Sequence, residues 1–293
     1  MSTKTWAVFG NWLVTLFLGF VLAWPWSQGL KAQGFSQFAD GDARLLSAGG
    51  AYFLEALRLG FGHFQSLLLP TLVLGVGVAL VSLVPTAGLA LAASSKQKLG
   101  PNALATRAVE HWWRFALLRL GTSLVQALLF GGVYVVQAWF RATSADVRQA
   151  DLRTLSFVAA GLGLGAIVGC VQDVLRVALV RDAVSPHFSG AFGLSLRALR
   201  SEGVKLLISW ALLASLCISL VGASAVFASR GFAEHPSLTF GLQQLLCLIL
   251  IGIRLFWFSI IERALASAQK RIKPGALVPA ETPASSAEPA YPS

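Results

Sequence analysis

Six long apolar segments constrain this chain more than any other feature of its sequence. A transmembrane helix needs about 20 apolar residues, because the hydrocarbon layer of a bilayer is about 30 Å thick. Only helices and closed barrels pair all their backbone polar groups in lipid, and these continuous segments lack the alternation of a barrel strand. The predicted spans are residues 6–26, 67–93, 111–140, 154–180, 204–228 and 238–261. The sequence therefore predicts an all-α fold, a polytopic membrane helix bundle with about six transmembrane helices.

The composition favours a membrane protein over a soluble one. Charged residues make up 12% of the 293 residues, whereas a soluble domain carries about 25%. The first span is expected to be a retained helix and not a cleaved signal peptide, because Pro25 stands where cleavage would occur. Cys170, Cys217 and Cys247 lie in apolar spans without metal-ligand spacing, so neither a metal site nor another cofactor is expected.

Two connectors, residues 94–110 and 181–202, are predicted to carry interfacial amphipathic segments. In the second, Phe188, Phe192 and Leu196 share one helical face, which favours a helix lying flat on the inner leaflet. The two connectors also share a short Arg-Ala sequence (Arg107-Ala108 and Arg197-Ala198), which indicates a weak internal repeat.

The distribution of basic residues predicts the orientation. An even number of spans puts both termini on one side, and most basic residues outside the spans lie there, in the two connectors and in the segment that follows the last span. The positive-inside rule then places both termini in the cytoplasm. The net charge of +10 is explained by this orientation, so no nucleic-acid partner is expected, whereas anionic lipids are.

The last residues differ in composition from the spans. They are basic at first and then rich in Ala, Pro, Ser and Glu, a composition that cannot bury enough apolar surface to fold. We therefore expect a six-helix transmembrane domain over residues 1–265 and a disordered cytoplasmic tail over residues 266–293.

The fourth span combines regular glycine spacing with charge. Gly161, Gly165 and Gly169 are four residues apart, and this spacing lets another helix approach closely. The same spacing continues to Asp173, and Arg176 follows three residues later, so an intrahelical ion pair is expected.

Other spans bring charge to a comparable depth, and two interpretations stay open. The predicted cluster consists of Arg119, Asp173, Arg176, Arg254 and Glu262. Ionisable residues within spans are costly unless they face the bundle interior and find partners. With three bases and two acids, the cluster would hold an anionic headgroup or a small anion. In the alternative interpretation, the arginines reach the lipid headgroups and the ion pair only fixes helix packing.

Two short motifs carry a resemblance to known proteins. Residues 173–180 (DVLRVALV) resemble a D-x-x-R-[IV] signature that ends one span in uncharacterised six-span bacterial inner-membrane proteins. Residues 112–115 (WWRF) resemble the aromatic-aromatic-Arg start of their third span. The general layout is similar to the membrane domain of glycerophosphodiester phosphodiesterases. The resemblance implies a six-span fold and a location in the bacterial inner membrane, and it supplies no activity.

The expected function is that of a non-enzymatic membrane component that contacts anionic lipids or partner membrane proteins. The alternative is a transporter or permease subunit that uses the charged cluster as a cytoplasm-facing site, although broken helices and polar groups near mid-bilayer are scarce. An intramembrane enzyme ranks last, because paired catalytic residues are lacking in the sequence.

Overall fold

The chain folds into helices throughout the part that the computed structural model describes, residues 2–32, 61–95, 98–142, 147–181, 188–230 and 236–271. No strand occurs in these ranges. The helices are α1 (Thr3–Ala32), α2 (Phe61–Val81), α3 (Leu83–Ser94), α4 (Pro101–Ala142), α5 (Val147–Arg181), α6 (Phe188–Arg230) and α7 (Pro236–Lys270).

Six helical stretches are long and apolar enough to cross a membrane. They are Thr3–Pro25, Leu69–Ser94, Pro101–Phe140, Arg153–Arg181, Phe188–Phe227 and Ser237–Lys270. The second stretch begins at Leu69 within α2 and ends with α3, so these two helices form one span. The prediction of an all-α polytopic bundle with six spans is therefore confirmed.

The two predicted connectors are shorter than expected, because their amphipathic residues form the first turns of the next helix. Helix α4 begins at Pro101, where proline suits the first helical position, and α6 begins at Phe188. The two helices contain 42 and 43 residues, which at 1.5 Å per residue makes each about 63 Å long. Because the hydrocarbon layer is about 30 Å thick, both helices must tilt strongly or extend beyond it.

Three inner helices and three outer helices make up the bundle. Helices α3, α5 and α7 all pack against one another. Each outer helix packs against two of them: α1 against α3 and α7, α4 against α3 and α5, and α6 against α5 and α7. In this approximately threefold arrangement, the ends of the three inner helices lie on one side of the molecule. The start of α1 lies on the same side.

A break at Ser82 separates α2 from α3. Pro85 has no N–H to donate to the carbonyl of Val81, so the helical hydrogen-bond ladder is interrupted there. The indole Nε1 of Trp112 in α4 donates to the neighbouring carbonyl of Leu80 at 2.9 Å. The kink thus gives α4 a polar attachment to the second span.

Buried side chains concentrate in the half of the bundle that carries the start of α1. In the inner helices they occupy most of α3, the last turns of α5 and the second half of α7. We call this part the terminus-side half and the remainder the opposite half. In the opposite half, large apolar side chains such as Phe20, Leu128 and Ile218 are more than half exposed. Those surfaces are suited to contact with lipid.

The end of the last helix lies beyond the predicted domain boundary. Helix α7 continues through residues 266–270, which the composition assigns to the tail, because Ala264, Leu265 and Ala268 still pack into the buried core. The remainder of the predicted tail, residues 272–293, lies outside the described part of the chain.

Candidate anion or lipid-headgroup site

The predicted intrahelical ion pair is present at the end of α5. Nη1 of Arg176 lies 2.8 Å from Oδ1 of Asp173, three residues earlier on the same helical face. The indole Nε1 of Trp257 in α7 donates to the second carboxylate oxygen, Oδ2, at 3.1 Å. Both carboxylate oxygens of Asp173 therefore have a donor, and the acid joins two inner helices.

Arg176 is the most enclosed charge of this group. Its side chain is 6% exposed, compared with 16% for Asp173. Its Nε is buried and has no hydrogen-bond partner among the described residues. A buried guanidinium group is stabilised mainly by its partners. The carboxylate of Asp173 therefore provides most of the stabilisation of the Arg176 charge.

Arg119 and Arg254 bring two further positive charges to the same place. Their charges act on Arg176 and repel it, whereas the charge of Asp173 attracts it. Both arginines are exposed at the surface of the bundle. The guanidinium carbon of Arg254 lies 5.6 Å from the centre of the Phe258 ring, which is within the range of a cation–π contact. Guanidinium groups from α4 and α7 are thus near enough to act on Arg176, which forms an ion pair with Asp173.

The structure pairs the fifth predicted residue, Glu262, with a residue outside the predicted cluster. Its Oε1 lies 3.5 Å from Nε of Arg181, and Nη1 of Arg181 donates to the backbone carbonyl of Glu262 at 3.3 Å. Arg181 is the last residue of α5, although the sequence pattern places it in a connector. This second ion pair joins α5 to α7 at the end of both helices.

Two other contributors are also absent from the sequence-based site. Trp257 stands in an aromatic sequence, Phe256-Trp257-Phe258, that is typical of a lipid-facing helix. Gln172, which is buried, donates through Nε2 to Oγ1 of Thr122 in α4 at 2.6 Å. A polar residue next to an intramembrane acid is the signal that would have pointed to Gln172.

The three predicted packing glycines differ in their surroundings. A Cβ atom placed on Gly165 would lie 3.0 Å from Cζ of Phe130, and one on Gly161 would lie 3.5 Å from a methyl carbon of Val133. A Cβ atom on Gly169 would meet nothing within 4 Å. The first two glycines therefore line the contact between α4 and α5, and Gln126 extends this contact with a 3.5 Å hydrogen bond to the carbonyl of Gly165.

The chemistry available at this site is recognition of an anion. Asp173 balances one of the three guanidinium charges, and Glu262 is paired with Arg181. Guanidinium groups present paired N–H donors that match phosphate oxygens. Within the described ranges no group of His, Cys, Asp and Glu residues is arranged to hold a metal ion.

Comparison with known proteins adds no relative. Neither a family model, nor a curated protein, nor a solved structure matches this chain. The resemblance of residues 112–115 and 173–180 to six-span bacterial membrane proteins stays a prediction.

Proposed function

We propose that this chain is a non-enzymatic component of the bacterial inner membrane that binds the headgroups of anionic lipids through Arg119, Arg176 and Arg254. The observation that carries the proposal is an imbalance of charge around Arg176, which has one carboxylate partner, Asp173, whereas the guanidinium groups of Arg119 and Arg254 are near enough to repel it. A lipid phosphate would supply the second negative charge. Exposure of Arg119 and Arg254 leaves their donors accessible to such a headgroup.

The same proposal places both termini in the cytoplasm. Exposed basic side chains accompany the terminus-side half of the bundle, among them Lys4, Lys98, Arg107, Arg197 and Lys270. The positive-inside rule assigns such a surface to the cytoplasmic leaflet, where anionic headgroups are available. A green fluorescent protein fused to the C-terminus should fluoresce, and alkaline phosphatase at the same position should be inactive. The reverse pair of results would contradict this orientation.

Lipid titration of the purified protein tests the headgroup site. Each basic residue near anionic lipid contributes about 1 kcal/mol, so the double variant Arg119→Gln/Arg254→Gln should bind phosphatidylglycerol roughly 30-fold more weakly. Native mass spectrometry in one detergent, with phosphatidylglycerol and phosphatidylcholine titrated in parallel, measures the preference between the two lipids. Arg263→Gln is the matched control, because Arg263 is exposed on α7 outside the cluster.

The result that contradicts the headgroup site is specific. If the double variant keeps its preference for phosphatidylglycerol and only its thermal stability falls, the arginines serve helix packing. If Arg263→Gln weakens binding as much as the double variant, the attraction comes from the general basic surface and not from the cluster. A basic surface of that kind would also suit an acidic partner membrane protein.

Transport is the second candidate, and one observation favours it. The inner helices are buried against one another in the terminus-side half, whereas side chains in the opposite half are mostly exposed. Looser packing in one half would permit the helix movements that alternating access requires. Ion or solute flux into proteoliposomes that stops in Asp173→Asn would rank transport above lipid binding. The proposed lipid-binding component should give no such flux.

A further inference from the structure

An apolar groove lies on a different face of the molecule from the arginine cluster. It has a volume of about 310 Å³ and runs between α1, the start of α3 and the first turns of α4. Apart from Asn11, the residues that line it have apolar or aromatic side chains. The groove residues used below are Ala7, Gly10, Gly88, Ala105 and Ala108.

Small residues create this groove. A Cβ atom on Gly88 would lie 4.0 Å from Cβ of Ala108, so α3 and α4 approach closely and form the floor. Ala7 and Ala108 are buried and close the space below. On the wall, a Cβ atom placed on Gly10 would meet nothing within 4 Å. The floor is thus tightly packed, whereas the space beside Gly10 stays open.

One end of the groove is polar. Thr3 lies one turn before Ala7, and its Oγ1 accepts a hydrogen bond of 2.8 Å from the backbone N–H of Leu99. The same hydroxyl donates to the carbonyl oxygen of Leu99 at 3.3 Å. Because Lys4 and Lys98 are the sequence neighbours of this joined pair and both are exposed, the contact places two basic residues near the same end of the groove.

The charges along the adjacent turns of α4 leave this end positive. Arg107 and Glu110 are both exposed there and are three residues apart, so they offset each other. The two lysines have no such neighbour of opposite charge within three residues in the sequence. An apolar channel with a cationic end is complementary to a molecule with a hydrocarbon chain and a phosphate.

We propose that this groove binds one acyl chain of an anionic phospholipid and that Lys4 and Lys98 contact its phosphate. The volume lies at the small end of the range for ligand sites, which is about 300–1,000 Å³, so it suits a single chain and not a whole lipid. The site uses other residues than the arginine cluster, so either site can fail without the other.

Filling the groove tests the acyl-chain part. Gly10→Leu places a side chain in the open space, and Gly19→Leu on the same helix is the matched control, since Gly19 also has nothing within 4 Å and lies outside the groove. In a chain that also carries Arg119→Gln/Arg254→Gln, which weakens binding at the arginine cluster, Gly10→Leu should lower the affinity for dioleoylphosphatidylglycerol at least about tenfold in native mass spectrometry. Such a loss corresponds to about two methylene groups leaving an apolar site. Gly19→Leu should bind like the wild type.

A second groove-filling variant provides a test that does not depend on the folding of Gly10→Leu. Ala105→Leu fills the same groove from α4, where Ala105 is exposed. A size-exclusion profile and melting curve like those of the wild type identify a folded variant. Tight binding by either folded variant, at the wild-type level, would overturn the proposal, and so would an equal loss in Gly19→Leu.

Removing the lysine charges tests the headgroup part. Lys4→Gln/Lys98→Gln should lower the preference for dioleoylphosphatidylglycerol over dioleoylphosphatidylcholine about 30-fold, at roughly 1 kcal/mol per basic residue, and should leave binding of the neutral lipid unchanged. An unchanged preference would remove the lysines from the site. All groove and lysine variants are compared in the Arg119→Gln/Arg254→Gln chain, and the arginine double variant is compared with its parent in a Gly10→Leu chain. Each comparison then reports on one site only, so failure at one site is distinguishable from failure at the other.

Discussion

The two halves of α7 are both rich in large apolar residues, but their surroundings are opposite. Near its end, Phe258, Ile261 and Leu265 are fully buried. Near its start, Phe240 and Leu245 are more than half exposed. In a membrane, lipid chains are as apolar as a leucine side chain, so apolar character alone does not draw helices together. What differs between the halves is how closely neighbouring helices approach.

Small side chains account for the close approach in the terminus-side half. Ala87 and Ala90 of α3 and Ala178 of α5 are fully buried, and each lies on an inner helix. With a side chain of one carbon, the inner helices come into contact and gain dispersion energy over a large surface. The Arg181–Glu262 ion pair and the Trp257–Asp173 hydrogen bond then join α5 to α7 in the same half.

The largest expected effect is the loss of a buried aromatic ring from the terminus-side half. Phe258→Ala should lower the free energy of unfolding by about 3–5 kcal/mol, because it removes a fully buried ring and leaves a cavity. Phe240→Ala, near the start of the same helix and 56% exposed, should cost less than about 1 kcal/mol, since lipid or detergent replaces the lost contacts. Denaturant titration in micelles measures both values.

Equal effects of these two substitutions would contradict the division into halves. A large effect of Phe240→Ala would mean that another protein surface covers that part of α7. In that case the exposed side chains of the opposite half would be an interface and not a lipid-facing surface.

A somewhat smaller effect is expected for the buried acid. Asp173→Ala should lower the free energy of unfolding by about 3 kcal/mol, because it leaves the buried guanidinium group of Arg176 without its carboxylate. Adding Arg176→Met should restore much of this loss, since the unpaired charge is then gone. Unfolding of the two variants in the same detergent gives the comparison. If the double variant is less stable than Asp173→Ala alone, the arginine is stabilised by partners other than Asp173.

The spans and the intrahelical ion pair were predictable because both depend on near neighbours in sequence. Continuous apolar segments give the six spans, and a separation of three residues puts Asp173 and Arg176 on one helical face. The first residue of α4 was harder to predict, since an amphipathic connector and the first turns of a long helix have the same spacing of apolar residues. Residues 101–110 belong to the helix because neither proline nor glycine follows Pro101 before Gly121.

Contacts between helices were not predictable in the same way. Whether Glu262 faces the arginine cluster or Arg181 depends on the rotation of α7 against α5, which the sequence of either helix does not specify. The same rotation brings Trp257 to Asp173, and the rotation of α4 against α5 brings Phe130 to Gly165. Four-residue spacing places three glycines on one face, but the crossing angle decides which of them meets the other helix.

A moderate effect is expected at the kink of the second span. Trp112→Phe removes the donor to the carbonyl of Leu80 and should lower the free energy of unfolding by about 1 kcal/mol. Its neighbour Trp113 is 61% exposed, so Trp113→Phe should change stability by less than about 0.5 kcal/mol. Melting temperatures of the two variants in the same detergent provide the check. A larger loss in Trp113→Phe would show that the Leu80 carbonyl does not depend on Trp112.

The smallest expected effect is a difference in stability between alanine variants of two glycines on one face of α5. An alanine in a helix interior is favoured over glycine by about 0.5–1 kcal/mol, so Gly169→Ala, whose new methyl group meets nothing within 4 Å, should stabilise the protein by about that amount. Gly165→Ala brings the same gain but places its methyl carbon 3.0 Å from the Phe130 ring, which must move. Its net effect should therefore be near zero or slightly destabilising. Equal stabilisation of both variants would mean that Phe130 moves without cost and that Gly165 is not needed for the approach of α4 to α5.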